Sequence, residues 1–278
     1  MPVLRDPRAR FAAAVQVDDE AIDLAEVALL IAAESYPELD LDRYRATLDA
    51  LADGARAHLD AADSDAGRVR ALIHYLAREQ RFVGNQDDYY DRRNSFLNEV
   101  LDRRTGIPIT LAVVYIEVAR RAGLVVDGIG FPGHFLAKLR GESEIVFDPY
   151  FAQLLSEEQC ARRLQAVMGR ETAFDRSYLR RATTREIVVR MLRNLKQIYL
   201  QAREYEPALA CSDRILLVQP ELPQELRDRG LLYQQLECFS AAQADLERFL
   251  ALAPNDDSAD VVREKLIELR RHGGATLH

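Results

Sequence analysis

Residues 93–111 read RNSFLNEVLDRRTGIPITL and lead into the most apolar helix that the sequence predicts. From Ile109 to Ala122 nearly every residue is apolar, which is typical of a helix that is buried on all sides. Two arginines precede Gly123, and cations and glycine are preferred at the C-terminal end of a helix. Pro108 suits the first helical turn, where its missing N–H is not needed. The sequence therefore predicts a buried helix that begins near Pro108.

Two further motifs, FPGHFL at 131–136 and FDPY at 147–150, lie in a region with the pattern of a small sheet. The strand candidates are residues 124–131, 134–139 and 144–147. They are short, partly β-branched or aromatic, and separated by Pro-Gly and Gly-Glu pairs. We expect an antiparallel meander directly after the buried helix.

The segments before residue 93 read as helices, and those after residue 185 read as a repeat. Apolar residues recur with a period close to 3.6 over Asp19–Ala33 and again over Leu41–Leu59. In the C-terminal part, four positions recur 34 residues later, a spacing typical of helical repeats. The matched pairs are Tyr199 and Tyr233, Tyr205 and Phe239, Ala208 and Ala242, and Pro220 and Pro254. Two repeats and a capping helix over Ser258–Arg271 are the resulting prediction.

Composition narrows the class of protein. The chain has 278 residues, 48% of them hydrophobic, and a formal net charge of −8, which disfavours nucleic acid and anionic membrane surfaces as partners. Its three cysteines are widely spaced, and no apolar run is long enough to span a membrane or to form a signal peptide. We expect a cytoplasmic protein. The other histidines lack paired spacing, so we expect no metal site and no cofactor.

Basic residues concentrate in one segment, 161–193, where nine arginines face three acidic residues. They would pair with acidic groups of the same molecule or bind an acidic partner, and the sequence leaves both possibilities open. The expected organisation is a first domain over 1–160, a basic linker over 161–184 and a repeat domain over 185–278.

The motifs at 93–111, 131–136 and 147–150, with the repeats behind them, resemble the SirB-type bacterial proteins. These proteins join a transglutaminase-like domain of the papain-like superfamily to tetratricopeptide repeats, and the likeness covers about residues 80–160 and the repeats. The resemblance implies an α+β fold, with a helical N-terminal region and a small antiparallel sheet packed on a buried helix. An all-α tetratricopeptide repeat domain would follow.

The same resemblance implies a degenerate catalytic site. In active transglutaminase-like enzymes a Cys at the start of the buried helix attacks an acyl group, while a His and an Asp on the following strands activate it. Here Gly133-His134-Phe135 resembles the His strand, and Asp148-Pro149 resembles the Asp strand. Counting back from the end of the helix, the Cys position falls on Pro108, which carries no nucleophile.

Other polar residues near this position have two interpretations. Thr110 and Ser95 carry hydroxyl groups that would serve as nucleophiles if they faced His134, although such residues more often cap helices or bond the backbone. Asn94 and Asn98 are four apart, so on one helix they would share a face and either line the same pocket or hold the segment in place. The His134–Asp148 pair has a structural, a ligand-binding or a catalytic interpretation.

Three hypotheses follow. The favoured one is a non-catalytic, regulatory module that binds a protein or peptide through the repeats and possibly through the old active-site cleft. The alternative is a hydrolase or acyl-transfer enzyme that uses Thr110 or Ser95 with His134 and Asp148. The third hypothesis is a regulatory partner of the translation apparatus. It rests on family context alone, since SirB-type genes often neighbour those for release factors. The partner's identity and the oligomeric state stay open.

Overall fold

The computed structural model describes residues 6–275 of the chain, with side chains up to residue 270. Residues 1–5 and 276–278 lie outside the described residues. Residues 1–5 are the first part of the N-terminal segment in which we expect no signal peptide. The chain divides into two compact units, residues 1–191 and 192–278. One long helix, α8 (Thr184–Gln201), begins in the first unit and ends in the second.

The first unit is built on helices whose bounds follow local capping. They are α1 (Pro7–Val15), α2 (Leu24–Ala33), α3 (Leu41–Asp60), α4 (Asp65–Ile73), α5 (Leu97–Arg103), α6 (Pro108–Arg121) and α7 (Glu157–Met168). The carboxylate of Asp23 accepts the N–H of Glu26 at 3.0 Å, so α2 starts at Leu24. The predicted helix over Asp19–Ala33 is thereby split, with a separate 3₁₀ turn at Asp19–Ala21.

Two of these helices are buried on nearly every side. All of α2 except Glu26 is buried, and α6 is buried from Pro108 to Ala119. This confirms the prediction of a buried helix that starts at Pro108. A helix of this composition forms only where the surrounding elements cover it.

A four-stranded antiparallel sheet lies against α6. Its strands are β3 (Val126–Ile129), β4 (Leu136–Leu139), β5 (Ile145–Asp148) and β6 (Gln153–Leu154), in that order. A separate two-stranded parallel ladder pairs β1 (Val83–Gly84) with β2 (Thr105–Gly106). The predicted meander is therefore present with shorter strands, and β6 is an addition that the sequence pattern did not indicate.

Successive residues of β5 point to opposite faces of the sheet. The Phe147 ring lies 5.9 Å from the Tyr115 ring of α6, whereas Val146 packs with Cys160 and Leu164 of α7. The sheet is thus covered by α6 on one face and by α7 on the other. This arrangement places Asp148, two residues after Val146, on the α7 face.

Residues 161–184 are not a linker in the structure. Helix α7 runs to Met168, and a 3₁₀ turn spans Arg176–Leu179. Leu164 and Leu179 are both buried in the core that the sheet builds with α7. The expectation of a linker gave too much weight to charge, because the same segment also packs Phe174 and Tyr178 against this core.

The second unit continues with α9 (Tyr205–Val218), α10 (Pro223–Gln235), α11 (Phe239–Leu252) and α12 (Ala259–Ala275). Helices α9 and α11 have bounds that are offset by the 34 residues of the repeat. Even the left-handed residues in the preceding turns, Arg203 and Glu237, keep this offset, with φ of 60° and 58°. Helix α12 packs Val262, Leu266 and Leu269 onto the repeat core, as a capping helix does.

Candidate degenerate active site

The first turn of α6 contains no nucleophilic group at the predicted position. Pro108 is buried there and directly follows the extended residue Ile107. Thr110, also fully buried, donates its hydroxyl to the carbonyl of Asn94 at 2.7 Å and accepts the N–H of Ile107 at 3.2 Å. A Cβ on Gly106 would lie 2.8 Å from the Thr110 hydroxyl, so only glycine allows this approach. The Thr110 hydroxyl fixes the start of the helix.

Asn94 and Asn98 do not lie on one continuous helix. Asn94 lies within a 3₁₀ turn, Arg92–Ser95, and Asn98 belongs to α5, while the extended residue Phe96 separates the two. The Asn94 amide donates to the carbonyl of Asp88 at 2.8 Å and accepts from Asn85 at 3.1 Å. The shared helical face that the spacing of four predicts is therefore absent, and Asn94 closes the loop before it.

Two buried polar atoms in this region have no partner among the described residues. They are the Ser95 hydroxyl and the Asn98 side-chain oxygen, on residues that are 1% and 3% exposed. The Tyr115 hydroxyl in α6, buried completely, is a third atom of this kind. Burial raises the pKa of Tyr115, and the Asp148 carboxylate adds to that effect. Of the two candidate hydroxyl nucleophiles, only Ser95 has an uncommitted hydroxyl, and it is shielded from solvent.

His134 lies in a tight turn before β4, and not on the strand that the pattern predicts. Its N–H donates to the carbonyl of Phe131 at 3.1 Å, and Gly133 between them has φ of +68°. A Cβ on Gly133 would also lie 2.9 Å from Val167. Glycine at this position therefore directs the imidazole toward β5.

The structure brings His134 and Asp148 together. Nε2 of His134 lies 3.0 Å from Oδ2 of Asp148, and the Asp148 side chain is fully buried. The direction of the ring N–H misses the carboxylate, so the pair is a close electrostatic contact without an aligned hydrogen bond. The other carboxylate oxygen accepts the N–H groups of Tyr150 at 2.9 Å and Phe151 at 3.3 Å.

Arg163 of α7 is a third member of this cluster that sequence reasoning missed. Its guanidinium donates to Oδ2 of Asp148, the same oxygen that faces His134. Burial alone raises the pKa of Asp148, but His134 and Arg163 outweigh it, so the pKa lies below its ordinary value. No local motif marks Arg163. It is one of several arginines in the segment that the sequence analysis expects to be a linker. The arrangement keeps an ionised carboxylate beneath the imidazole.

Aromatic side chains surround the imidazole. We define the aromatic rim as Tyr89, Tyr90, Tyr150 and Phe151. The His134 ring is stacked with the Phe151 ring and perpendicular to the Tyr150 ring, with both centroid distances 5.9 Å. Tyr89, Tyr90 and Phe151 are 41%, 61% and 49% exposed. A patch of exposed aromatic residues beside a polar group is typical of a binding surface.

The cysteines lie elsewhere. Cys160 is fully buried among the apolar residues between the sheet and α7, and burial raises the pKa of its thiol. Cys211 and Cys238 belong to the second unit, at a buried and an exposed position. A catalytic thiol requires the opposite shift, toward the thiolate.

Within residues 6–275, no three His, Cys, Asp or Glu side chains converge as metal ligands would. In the same part of the chain, no helix combines the length and the apolar character that crossing a membrane requires.

Comparison with known proteins agrees with this architecture. The model of the transglutaminase-like superfamily matches residues 42–193, and a tetratricopeptide repeat model matches residues 195–266. The UPF0162 protein of Xylella fastidiosa (strain 9a5c) is 42% identical over 258 residues, which cover 91% of this chain and 92% of that protein. The chain belongs to the UPF0162 family of transglutaminase-like proteins.

More distant relatives extend the family. A UPF0162 protein of Vibrio cholerae is 31% identical over 263 residues, covering 94% of this chain and 97% of that protein. Protein SirB1 of Salmonella typhimurium is 27% identical over 202 residues, covering 72% and 75%. The resemblance to SirB-type proteins and the predicted α+β fold with a repeat domain are thereby confirmed. Tetratricopeptide repeats in general mediate protein–protein interaction.

Proposed function

We propose that this UPF0162 protein is a non-catalytic, regulatory transglutaminase-like module that binds protein partners, in the cytoplasm. The observation that carries the proposal is Pro108 in the first turn of α6, where an active member would hold its nucleophile. The Thr110 hydroxyl, in the first turn of the same helix, is bound to backbone groups. The free thiols of Cys160 and Cys238 suit a reducing compartment.

The retained His134–Asp148 pair is consistent with loss of catalysis. A catalytic imidazole needs a nucleophile within about 2.6–3.2 Å of its free nitrogen. With Arg163 and two backbone N–H groups also bound to Asp148, the cluster satisfies a fully buried carboxylate. It therefore has a structural reason to persist, because removing one partner strands the others.

The first experiment restores the nucleophile with Pro108→Cys and measures thiolate absorbance at 240 nm against pH. If residue 108 occupies the nucleophile position, helix α6 and His134 lower the pKa of the introduced thiol to about 7.5 or less. The matched control, Pro108→Cys with His134→Ala, returns it toward about 8.5. Burial alone raises a thiol pKa, as at Cys160, so a raised pKa at position 108 would contradict the proposal.

Wild-type protein is then assayed for hydrolysis of p-nitrophenyl acetate and for transfer of a labelled amine to a glutamine peptide. The proposal expects no rate above that of the His134→Ala variant. A His134-dependent rate would favour the alternative, a hydrolase or acyl-transfer enzyme. The unpartnered hydroxyl of Ser95 is the observation that supports that alternative, so Ser95→Ala would have to abolish the rate.

Partner binding is tested by capture with full-length protein, identified by mass spectrometry. The second unit offers a cavity of about 650 Å³ lined by Leu216, Leu217, Pro220 and the exposed Arg248. A partner that His134→Ala retains and Arg248→Glu loses would bind the repeats, whereas the reverse pattern would assign it to the His134 site. Absence of any protein enriched over an unrelated bait would contradict the binding function.

A further inference from the structure

The arginines of segment 161–193 differ in how their charge is balanced. Six of the nine pair with carboxylates of this chain: Arg162 with Glu158, Arg163 with Asp148, Arg176 with Glu157, Arg180 with Glu186, Arg181 with Asp127, and Arg193 with Glu225. Most of the segment's positive charge is thus neutralised within the molecule. The arginines left over are the candidates for binding something else.

Arg190 is the member of this group that lies in the site. Its guanidinium donates to the carbonyl oxygens of His134 at 2.7 Å and Phe131 at 3.2 Å, and lies 5.4 Å from the centre of the Phe135 ring. Among residues 6–275, no carboxylate lies within ion-pair distance of it. Burial lowers the pKa of Arg190, yet a guanidinium stays protonated at neutral pH. Arg190 is therefore a partly desolvated cation that only carbonyl dipoles balance.

The surroundings of Arg190 define what it could bind. The phenol of Tyr89, a member of the aromatic rim, lies within electrostatic range of Arg190 and is neutral at neutral pH, because burial raises its pKa. The main-chain partner of Arg190, His134, stacks on Phe151. Tyr89 and Phe151 are each close to half exposed. An unbalanced cation and exposed aromatic rings therefore occupy one site.

We propose that the His134 site binds an acidic peptide segment of a partner protein. A Glu or Asp side chain pairs with Arg190, and neighbouring apolar side chains of the peptide pack on Tyr89 and Phe151. A carboxylate on a guanidinium forms a charge-assisted contact that gains strength in a partly desolvated site. The inference rests on the proposed function and specifies the chemistry of its partner.

Charge distinguishes this ligand from a nucleic acid. Binding a phosphate backbone needs several cations side by side, because affinity comes from neutralising many phosphates. Here Arg163 is occupied by Asp148, and Arg190 is one unpaired cation on a chain of net charge −8. A single carboxylate flanked by apolar groups matches what the site offers.

The test uses full-length protein and fluorescein-labelled peptides whose remaining ends are blocked. The probe is Gly-Phe-Glu-Phe-Gly as an amide, and its match carries Gln in place of Glu. Fluorescence anisotropy is expected to give about tenfold or greater preference for the Glu peptide, since hydrogen bonds to charged groups contribute more than neutral ones. Equal affinity for the two peptides, or no binding up to millimolar concentration, would overturn the inference.

Variants assign the preference to Arg190. Arg190→Gln should reduce the Glu-to-Gln preference to about one, and Arg190→Lys should retain part of it because the charge stays. Arg170→Gln is the matched control, since it removes an exposed arginine of the same segment and should leave the preference unchanged. A full preference in Arg190→Gln would contradict the assignment.

Folding is checked by thermal melting, because Arg190 also holds the His134 turn. If Arg190→Gln melts at a lower temperature than wild type, the Tyr89→Ala variant is used instead. Relative to wild-type protein, Tyr89→Ala should bind both the Glu peptide and the Gln peptide more weakly, by the same factor of about five or more. Unchanged affinity in Tyr89→Ala would overturn the docking mode. A third peptide carries Gln and a free C-terminal carboxylate, so its negative charge lies at the chain end and not on a side chain. The proposed docking mode requires that it bind as weakly as the blocked Gln peptide.

The outcomes separate this inference from the proposed function. A lowered thiol pKa in Pro108→Cys, together with equal binding of the Glu and Gln peptides, would leave the proposed function and remove the acidic ligand. A raised thiol pKa at position 108, together with a clear preference for the Glu peptide, would contradict the proposed function and keep the acidic ligand.

Discussion

The buried polar side chains of the two units differ in how completely they are hydrogen-bonded. In the repeat unit, Lys196 Nζ lies 2.6 Å from Glu225 Oε1 and 3.1 Å from Asp228 Oδ2, and the Ser212 hydroxyl donates to Glu225 at 2.7 Å. In the first unit, the Ser95, Asn98 and Tyr115 side chains and Nε2 of His134 each keep a buried atom without a hydrogen bond.

The contrast extends over the described chain. Between residues 6 and 270, every buried side-chain nitrogen or oxygen that lacks a partner lies at or before Arg185. Paired polar groups hold helices in register, whereas unpaired buried groups cost free energy and persist mainly at functional or formerly functional sites. The repeat cluster is therefore structural, whereas the described buried groups without a hydrogen bond all lie in the first unit, which also contains the His134–Asp148 pair.

The largest expected effect is on the paired cluster. Glu225→Leu should lower the free energy of unfolding of the repeat unit by about 3–5 kcal/mol, because Lys196 is 7% exposed and keeps only the partly exposed Asp228 as a partner. The buried Ser212 hydroxyl also loses its acceptor. Urea unfolding followed by circular dichroism measures it. Adding Lys196→Met to Glu225→Leu should recover most of the loss, and failure to recover would mean that the cluster acts through more than this pair.

The next effect concerns Asp148. Asp148→Asn should cost about 2–4 kcal/mol at pH 7, less than Glu225→Leu, because Arg163 and His134 are 25% and 16% exposed and can be hydrated. The control is Glu144→Gln, whose partly exposed pair with Lys138 is worth about 1 kcal/mol or less.

The pH dependence of this difference follows from the sign of the shift. The pKa of Asp148 is lower in the folded protein than its ordinary value near 3.9, so its stabilising contribution is present above that value. The contribution disappears as the pH falls through the folded pKa. The stability gap between wild type and Asp148→Asn should therefore narrow from pH 6 to pH 3, and a constant gap would contradict an ionised Asp148.

A smaller effect is expected at the start of α6. Thr110→Val keeps the volume of the side chain but strands the carbonyl of Asn94 and the N–H of Ile107, at a cost of about 1–3 kcal/mol. The midpoint of urea unfolding measures it. A neutral result would mean that the Thr110 hydroxyl is not fixing the helix start.

The smallest effect is expected at Ser95. Its hydroxyl is buried without a partner, so Ser95→Ala should change the free energy of unfolding by at most about 0.5 kcal/mol or stabilise the protein. The comparison with Thr110→Val isolates hydrogen bonding, since both changes remove one buried hydroxyl and only the Thr110 hydroxyl is hydrogen-bonded. A loss above about 1 kcal/mol would indicate an unseen partner, such as a bound water.

Much of the site was accessible from the sequence because its parts are local. Pro108, His134 and Asp148 stand in short motifs that turn chemistry and strand ends dictate, and the structure places the last two 3.0 Å apart. Arg163 and Arg190 were not predicted as site residues. They lie 15 and 42 residues after Asp148, and nothing in a charged run distinguishes an arginine that reaches the sheet from one in solvent.

The sequence by itself determined the buried helix α6, the antiparallel meander and the 34-residue repeat, because hydrophobic periodicity, turn residues and small residues at helix contacts act over a few neighbours. Only the tertiary structure decided that segment 161–184 is part of the core and that Thr110 is bound to the backbone while Ser95 is not. It also decided that Arg190 is left without a carboxylate. Such outcomes depend on which distant groups meet in three dimensions, and local patterns contain no information on those distances.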